Sequence, residues 1–380
     1  MNAFTFFVFF GLGILNHFPF SFTAVIFLFQ MDSEGELKQL LVNCLSASFF
    51  PLNASPPAVQ SRNTAPFAMT SASDARGDAV SLLVDKMVHS QIPLRSGYIL
   101  AYEFVDIYAD QLHTNRNSFT ETQKIDASNW CSELREYFAQ FLQQIVDGSR
   151  PLPPSLFAHC RVLPLSFCAQ KNRKPKMEDR HLLLPSLDIV EPEISQKLSK
   201  KVDPSAALFA VFDGHNGAEC ATFASAHLTE CFLDAFEQSD DIEKILNDAF
   251  ERLDKRITEK CTSENIKSGT TVSCVYLEGT TSAYLAWCGD SAIGLLTDTA
   301  VDTLSTPHKP EDKDEMRRIE QAGGMVVSIH GVPRLNGVLN LSRSLGDVMA
   351  KVFPSRLLPL CHFIALLPFP FSQWSVLCPT

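Results

Sequence analysis

The period of the apolar positions changes along the chain. From residue 78 to 146 they recur at helix spacing, through Val80, Leu83, Val84, Met87 and Val88, then through Trp130, Leu134, Tyr137, Phe138, Phe141, Leu142 and Ile145. Residues 78–150 are therefore expected to form a helical region. Asp147-Gly148-Ser149 and the prolines at 151, 153 and 154 close it with a turn and a stiff joint. Beyond Leu156, short apolar runs of strand length alternate with helical stretches. Residues 208–212 form one such strand, running directly into Asp213-Gly214-His215-Asn216-Gly217, and residues 218–236 follow as a helix packed on it.

Over residues 241–260, Ile242, Ile245, Leu246, Ala249, Phe250, Leu253 and Ile257 make one stripe, which reads as the core face of an amphipathic helix. Residues 271–277 and 282–288 are strands joined through Glu278-Gly279 in the manner of a hairpin. Residues 311–322 are expected to be a surface helix stopped by Gly323-Gly324, its charges serving only to solvate it.

The two ends depart from this pattern. Residues 1–30 carry no charge and are rich in phenylalanine, as in a membrane anchor, yet Asn16, His17 and Pro19 interrupt the run and no Lys or Arg precedes Lys38. A membrane-anchored extension and an upstream artefact of the gene model, with an ordinary start at Met31, are both open. Residues 31–77 are expected to be a Ser/Pro-rich linker, because 46–78 holds Ser, Ala, Asn and the prolines 51, 56, 57 and 66. Residues 352–380 form a Pro/Leu/Phe-rich tail whose apolar stretches are too short and too interrupted for a membrane helix.

Net charge and cysteine usage then narrow the function classes. A net charge of −11 argues against a nucleic-acid or anionic-membrane surface. Eleven cysteines, scattered singly without a CxxC pair, fit reduced thiols and a cytoplasmic location better than a disulfide framework or a zinc site.

Four segments in fixed order set acids beside glycine, histidine or arginine: Met177-Glu178-Asp179-Arg180-His181, Asp213-Gly214-His215, Cys288-Gly289-Asp290-Ser291, and Leu341-Ser342-Arg343-Ser344-Leu345-Gly346-Asp347. Asp213 and Asp290 both fall at strand ends, where a backbone fixes the carboxylate. Asp213 offers hard oxygens suited to Mg²⁺ or Mn²⁺, and Gly214, lacking a Cβ, lets its carbonyl approach an ion. Asp-Gly is also an ordinary turn. The cations Lys171, Arg173, Lys174 and Lys176 precede Glu178 and Asp179; this suits a phosphate held beside a metal, and equally a solvated loop whose charges pair locally.

Together these segments resemble the PPM, or type 2C, family of metal-dependent protein serine/threonine phosphatases over about residues 157–351, and within it the calmodulin-dependent-kinase phosphatase or FEM-like branch. The resemblance implies an α+β fold, an α-β-β-α sandwich of two antiparallel sheets flanked by helices, here a partial phosphatase domain over 156–351 with a helical N-terminal region. It implies two Mn²⁺ or Mg²⁺ ions, with a third held more weakly. Asp213 would bridge the two, Gly214 would give its carbonyl, Glu178 would act through water with Asp179 beside it, and Asp290 would serve the third. His215 would protonate the departing seryl or threonyl oxygen of a phosphoprotein substrate, with Asp213 and His215 the catalytic pair.

Two departures from that pattern stand out. The family's phosphate-gripping arginine, four residues before the glutamate, is Lys174 here, with Arg173 one residue earlier; a lysine is a point charge rather than a fork. The family's two later metal aspartates have no counterpart, since no Asp or Glu occurs from Val348 to Thr380. The fold is then incomplete at its C-terminus, with sheet edges expected to be exposed. A catalytically impaired, binding-only pseudophosphatase, recruiting a protein partner through residues 78–150, is the alternative function.

Overall fold

The computed structural model describes residues 7–9, 33–49, 65–114, 124–157, 165–169, 176–190, 206–278, 282–296, 301–351, 364–368 and 375–377. Contacts divide the chain into two compact units. One comprises Phe20–Leu165 and Leu184–Ala206; the other comprises Met1–Pro19, Ser166–Leu183 and Ala207–Thr380.

The first unit is helical: Glu34–Phe49, Ala72–His89, Leu94–Ile107, Ala109–Leu112 and Ala127–Val146, with a short antiparallel pair of Met69–Ser71 and Lys124–Asp126. The expected apolar face of Ala127–Val146 is buried at Trp130, Leu134, Phe138, Phe141, Leu142 and Ile145. Asp126 starts that helix by accepting the Asn129 amide at 2.9 Å, and the indole of Trp130 donates to the Leu112 carbonyl at 3.0 Å. Phe104 meets Phe138 and Phe141 edge-on at centroid distances of 5.3 and 5.5 Å.

The linker expected over 31–77 does not hold in its described parts. Glu34–Phe49 is a helix with Leu37, Leu41 and Cys44 fully buried, and the Ala72–His89 helix begins inside the polar stretch. Polar composition misled because Asp74, Arg76 and Asp78 are buried in pairs: Ser71 donates to Asp74, Thr70 to Asp78 at 3.0 Å, and Arg76 reaches Asp106 at 2.5 Å. Paired polar groups can be taken out of water at little net cost. Of the hydrophobic segment 1–30 only the backbone of Phe7–Phe9 is described, paired antiparallel with Ser166–Cys168. No helix among the described residues is long and apolar enough to cross a membrane.

In the second unit a five-stranded sheet runs in the order Ile364–Pro368, Ser282–Cys288, Val272–Glu278, Ala207–Phe212, Arg180–Leu184. Every residue of Ala207–Phe212 is buried, as a continuous apolar strand requires. The hairpin expected at 271–288 forms, from Glu278↔Ser282 to Val272↔Cys288. A short second sheet orders Leu345–Gly346, Gly269–Thr270 and Gly214–His215. Helices Glu219–Phe236 and Ile242–Glu264 follow; Asp241 caps the latter through the Glu243 and Lys244 amides, and its stripe from Ile242 to Ile257 is buried. The cysteines that can be described form no disulfide, and the thiols of Cys220 and Cys261 lie 3.4 Å apart.

Two sequence expectations need correction here. The edge of Ser282–Cys288 is not exposed: Ile364–Pro368, from the tail, pairs antiparallel along it from Ser282↔Pro368 to Ala286↔Ile364, and Ser375–Leu377 pairs with Gly294–Leu296. An apolar run of strand length satisfies an edge whatever its parentage, because the ladder is made by backbone groups. The charges of the 311–322 helix, observed at Lys313–Gln321, do more than solvate it: Glu315 is buried and accepts from Arg343, Arg318 and Ser342.

Candidate active site

Asp213 leaves the buried strand Ala207–Phe212 under a reciprocal clamp. Its amide donates to the Thr271 hydroxyl at 3.2 Å, and the Thr271 amide donates to its carbonyl at 3.0 Å. The same hydroxyl lies 2.6 Å from that of Ser291, beside Asp290, so one threonine side chain stands between the two strand-end acids. Gly289 adopts φ +113°, and a Cβ there would stand 2.6 Å from the Thr271 methyl, so glycine is required on both counts. The Asp290 carboxylate is paired with the Lys309 ammonium.

Glu178 enters from the segment before Arg180–Leu184. A Cβ on Gly214 would come within 2.3 Å of the Glu178 carbonyl oxygen, so the missing side chain is what lets that segment approach. The Glu178 carboxylate accepts the Gly217 amide at 2.9 Å. Asp179, beside it, is buried, and its carbonyl accepts Arg180 Nη1 at 2.7 Å.

His215 lies within reach of the Asp213 and Asp290 charges. Its Nε2 is 2.6 Å from Asp347 Oδ2, and Asp347 also accepts the Ser344 hydroxyl at 2.6 Å. Burial disfavours the imidazolium of His215, yet the hydrogen bond and charge of Asp347, with the charges of Asp213 and Asp290, outweigh it and raise its pKa above 6.5. Asp347 is the residue to which sequence reasoning gave no role. The signal was present, since Gly346-Asp347 repeats the Gly289-Asp290 order; its partner, 132 positions earlier, was not legible.

Asp213, Asp290 and Asp347 are thus brought together around His215, and the Glu178 carboxylate is held at Gly217, two residues further on. Arg173 and Lys174, the candidate phosphate grips, lie outside the described residues. Among the described residues no three of His, Cys, Asp and Glu stand close enough to enclose a metal ion unaided. The donor chemistry nonetheless fits Mg²⁺ or Mn²⁺: hard carboxylate oxygens from three segments and an excess of negative charge around one imidazole. Glu178, Asp213, the Gly214 carbonyl and Asp290 are the residues that would hold such ions.

Comparison with known proteins identifies the family. The family model for Protein phosphatase 2C matches residues 164–363, more than half of the chain, and the chain belongs to that family. Its relatives include the human protein named Protein phosphatase 1F, 36% identical over 225 residues, which covers 59% of this chain and 47% of that one. The Caenorhabditis elegans protein named Protein phosphatase fem-2 is 36% identical over 211 residues, covering 54% and 44%. The FEM-like branch suggested by the motifs is in keeping with both. The chain spans about half the length of the curated relatives it matches. A solved structure of a C. elegans sex determining protein matches 90% of this chain and 80% of its own with a TM-score of 0.61 at 24% identity, which establishes the shared fold. The antiparallel sheets and flanking helices are those of the PPM phosphatase fold.

Proposed function

We propose that the chain is a metal-dependent protein serine/threonine phosphatase, hydrolysing phosphoserine and phosphothreonine in phosphoprotein substrates. The observation that carries this reading is the His215–Asp347 contact with Asp213 and Asp290 beside it, in a family whose relatives are named protein phosphatases. Divalent cations held by these acids would supply an acidified water as nucleophile and offset phosphate charge. His215 Nε2–H is held by Asp347, which orients the ring and favours its charged form, so the proton on the other ring nitrogen, Nδ1, is the one that can pass to the departing seryl or threonyl oxygen. Ser344 fixes the Asp347 carboxylate, and the Thr271 clamp fixes the main chain that presents Asp213, so the positions of both acids are set before the reaction. Arg173 or Lys174 is assigned the substrate phosphate.

The test is release of phosphate from a phosphothreonine peptide by the purified chain with and without Mn²⁺, beside Asp213→Ala. Mn²⁺-dependent release lost in the variant supports the reading. A folded, inactive chain overturns it in favour of a binding protein, and partner capture unchanged by Asp213→Ala would then mark that role.

A further inference from the structure

The segment 305–309 touches both halves of the acid site without belonging to any of the four motifs. His308 is buried, at 6% exposure, with its ring stacked on Trp287 at 17° between planes. The Trp287 indole in turn donates to the Thr306 carbonyl at 2.8 Å, which fixes the segment's approach. Three hydrogen bonds leave His308 in two directions. Toward the Asp290 turn, its Nδ1 accepts the Gly289 amide at 3.0 Å and its own amide donates to the Gly289 carbonyl at 2.9 Å. Toward the Asp347 loop, its carbonyl accepts the Ser342 amide at 3.0 Å. Lys309, the next residue, pairs with Asp290.

We infer that His308 is a positioning residue that holds the Gly289-Asp290 turn and the Ser342–Asp347 loop in one fixed relation. The inference rests on the phosphatase reading of the site. Gly289 has no side chain and a left-handed φ, so the turn that presents Asp290 has little stiffness of its own, and the bonds to His308 supply it. The other end of the clasp is equally anchored: the Ser342 hydroxyl donates to Glu315 at 2.6 Å, Arg318 donates to the Ser342 carbonyl at 2.9 Å, and Ser344 reaches Asp347. The imidazole must present a bare Nδ1 to accept the Gly289 amide, which places its ring proton on Nε2.

Asparagine carries an oxygen near the position of Nδ1 and can accept the same amide; leucine fills a similar volume and cannot. The experiment compares His308→Leu and His308→Asn with the wild-type chain in two readouts. The first is amide hydrogen exchange of peptides covering 289–291 and 342–347, measured without metal. The second is kcat and KM for a phosphothreonine peptide in Mn²⁺. His308→Leu is expected to raise exchange at 289–291, where the side-chain acceptor is lost, with a smaller rise at 342–347, whose bond to the His308 carbonyl remains, and to lower kcat by about tenfold or more with little change in KM, since small displacements of catalytic groups are costly. His308→Asn is expected to restore most of both. The inference is overturned if the two variants behave alike, or if His308→Leu leaves exchange at 289–291 at the wild-type level. Should His308→Leu fail to fold, His308→Gln, whose longer side chain misplaces the acceptor, takes its place. An inactive wild-type chain would sink the phosphatase reading alone, with the exchange comparison still deciding the clasp.

Discussion

The helical unit and the sheet unit bury different things. The interior around Phe104, Phe138 and Phe141 is aromatic and apolar, and is held by area removed from water. Both units bury charge, but the helical unit sets Asp74 and Asp78 against hydroxyls and Arg76 against an exposed Asp106, whereas the sheet unit encloses charge with charge: Glu315 with Arg343, Asp254 with Lys351, and Asp347 beside His215. Apolar burial tolerates rearrangement at a graded cost. A buried ion pair adds little when intact and costs heavily when one member is removed. The sheet unit accepts that liability because its loops carry chemistry and need fixed positions.

The sharpest way to break the comparison is Arg343→Met, which strands the Glu315 carboxylate in the interior. We expect a loss of about 3–5 kcal/mol in the sheet unit's urea transition, partly recovered in the double variant Arg343→Met/Glu315→Gln. A double variant no better than the single would mean that charge is not the issue. Phe104→Ala, in the helical unit, should cost about 3–5 kcal/mol through a cavity, with no dependence on pH between 4 and 7.

Acid separates the two cases. Burial opposes ionisation of Glu315, but hydrogen bonds from Arg343, Arg318 and Ser342 overcome it and hold its carboxyl far below 4.5. Stability from a depressed carboxyl pKa is complete above the unfolded value and is lost as pH falls. Wild type should therefore weaken below about pH 4.5, and Glu315→Gln should flatten that slope. Thermal melts from pH 6 to 3 would read it; equal slopes would remove Glu315 from the account. The smallest effect expected is at Asp126→Ala, which deletes one helix cap for about 1 kcal/mol of the helical unit's stability.

Much of this was legible in the chain. The strand into Asp213, the 271–288 hairpin and the 242–257 stripe all follow from local periodicity, and Gly323, at φ +87°, ends its helix as expected. What escaped was pairing at a distance. Glu315 reads as one more charge on a polar helix until Arg343, 28 positions on, arrives over it. Arg76 reads as linker for the same reason, its partner Asp106 standing 30 positions on. Asp347 lay inside a recognised segment, and only the fold shows that its carboxylate faces His215.

The edge pairing of Ser282–Cys288 has a consequence for synthesis. Its inner neighbour, Val272–Glu278, is already made when the strand leaves the ribosome, but its outer neighbour lies roughly 80 residues downstream. For several seconds at ordinary elongation rates, a row of backbone donors and acceptors waits beside an apolar surface. The nascent chain is at its most adhesive in that interval, and slower translation between 289 and 363 would lengthen it.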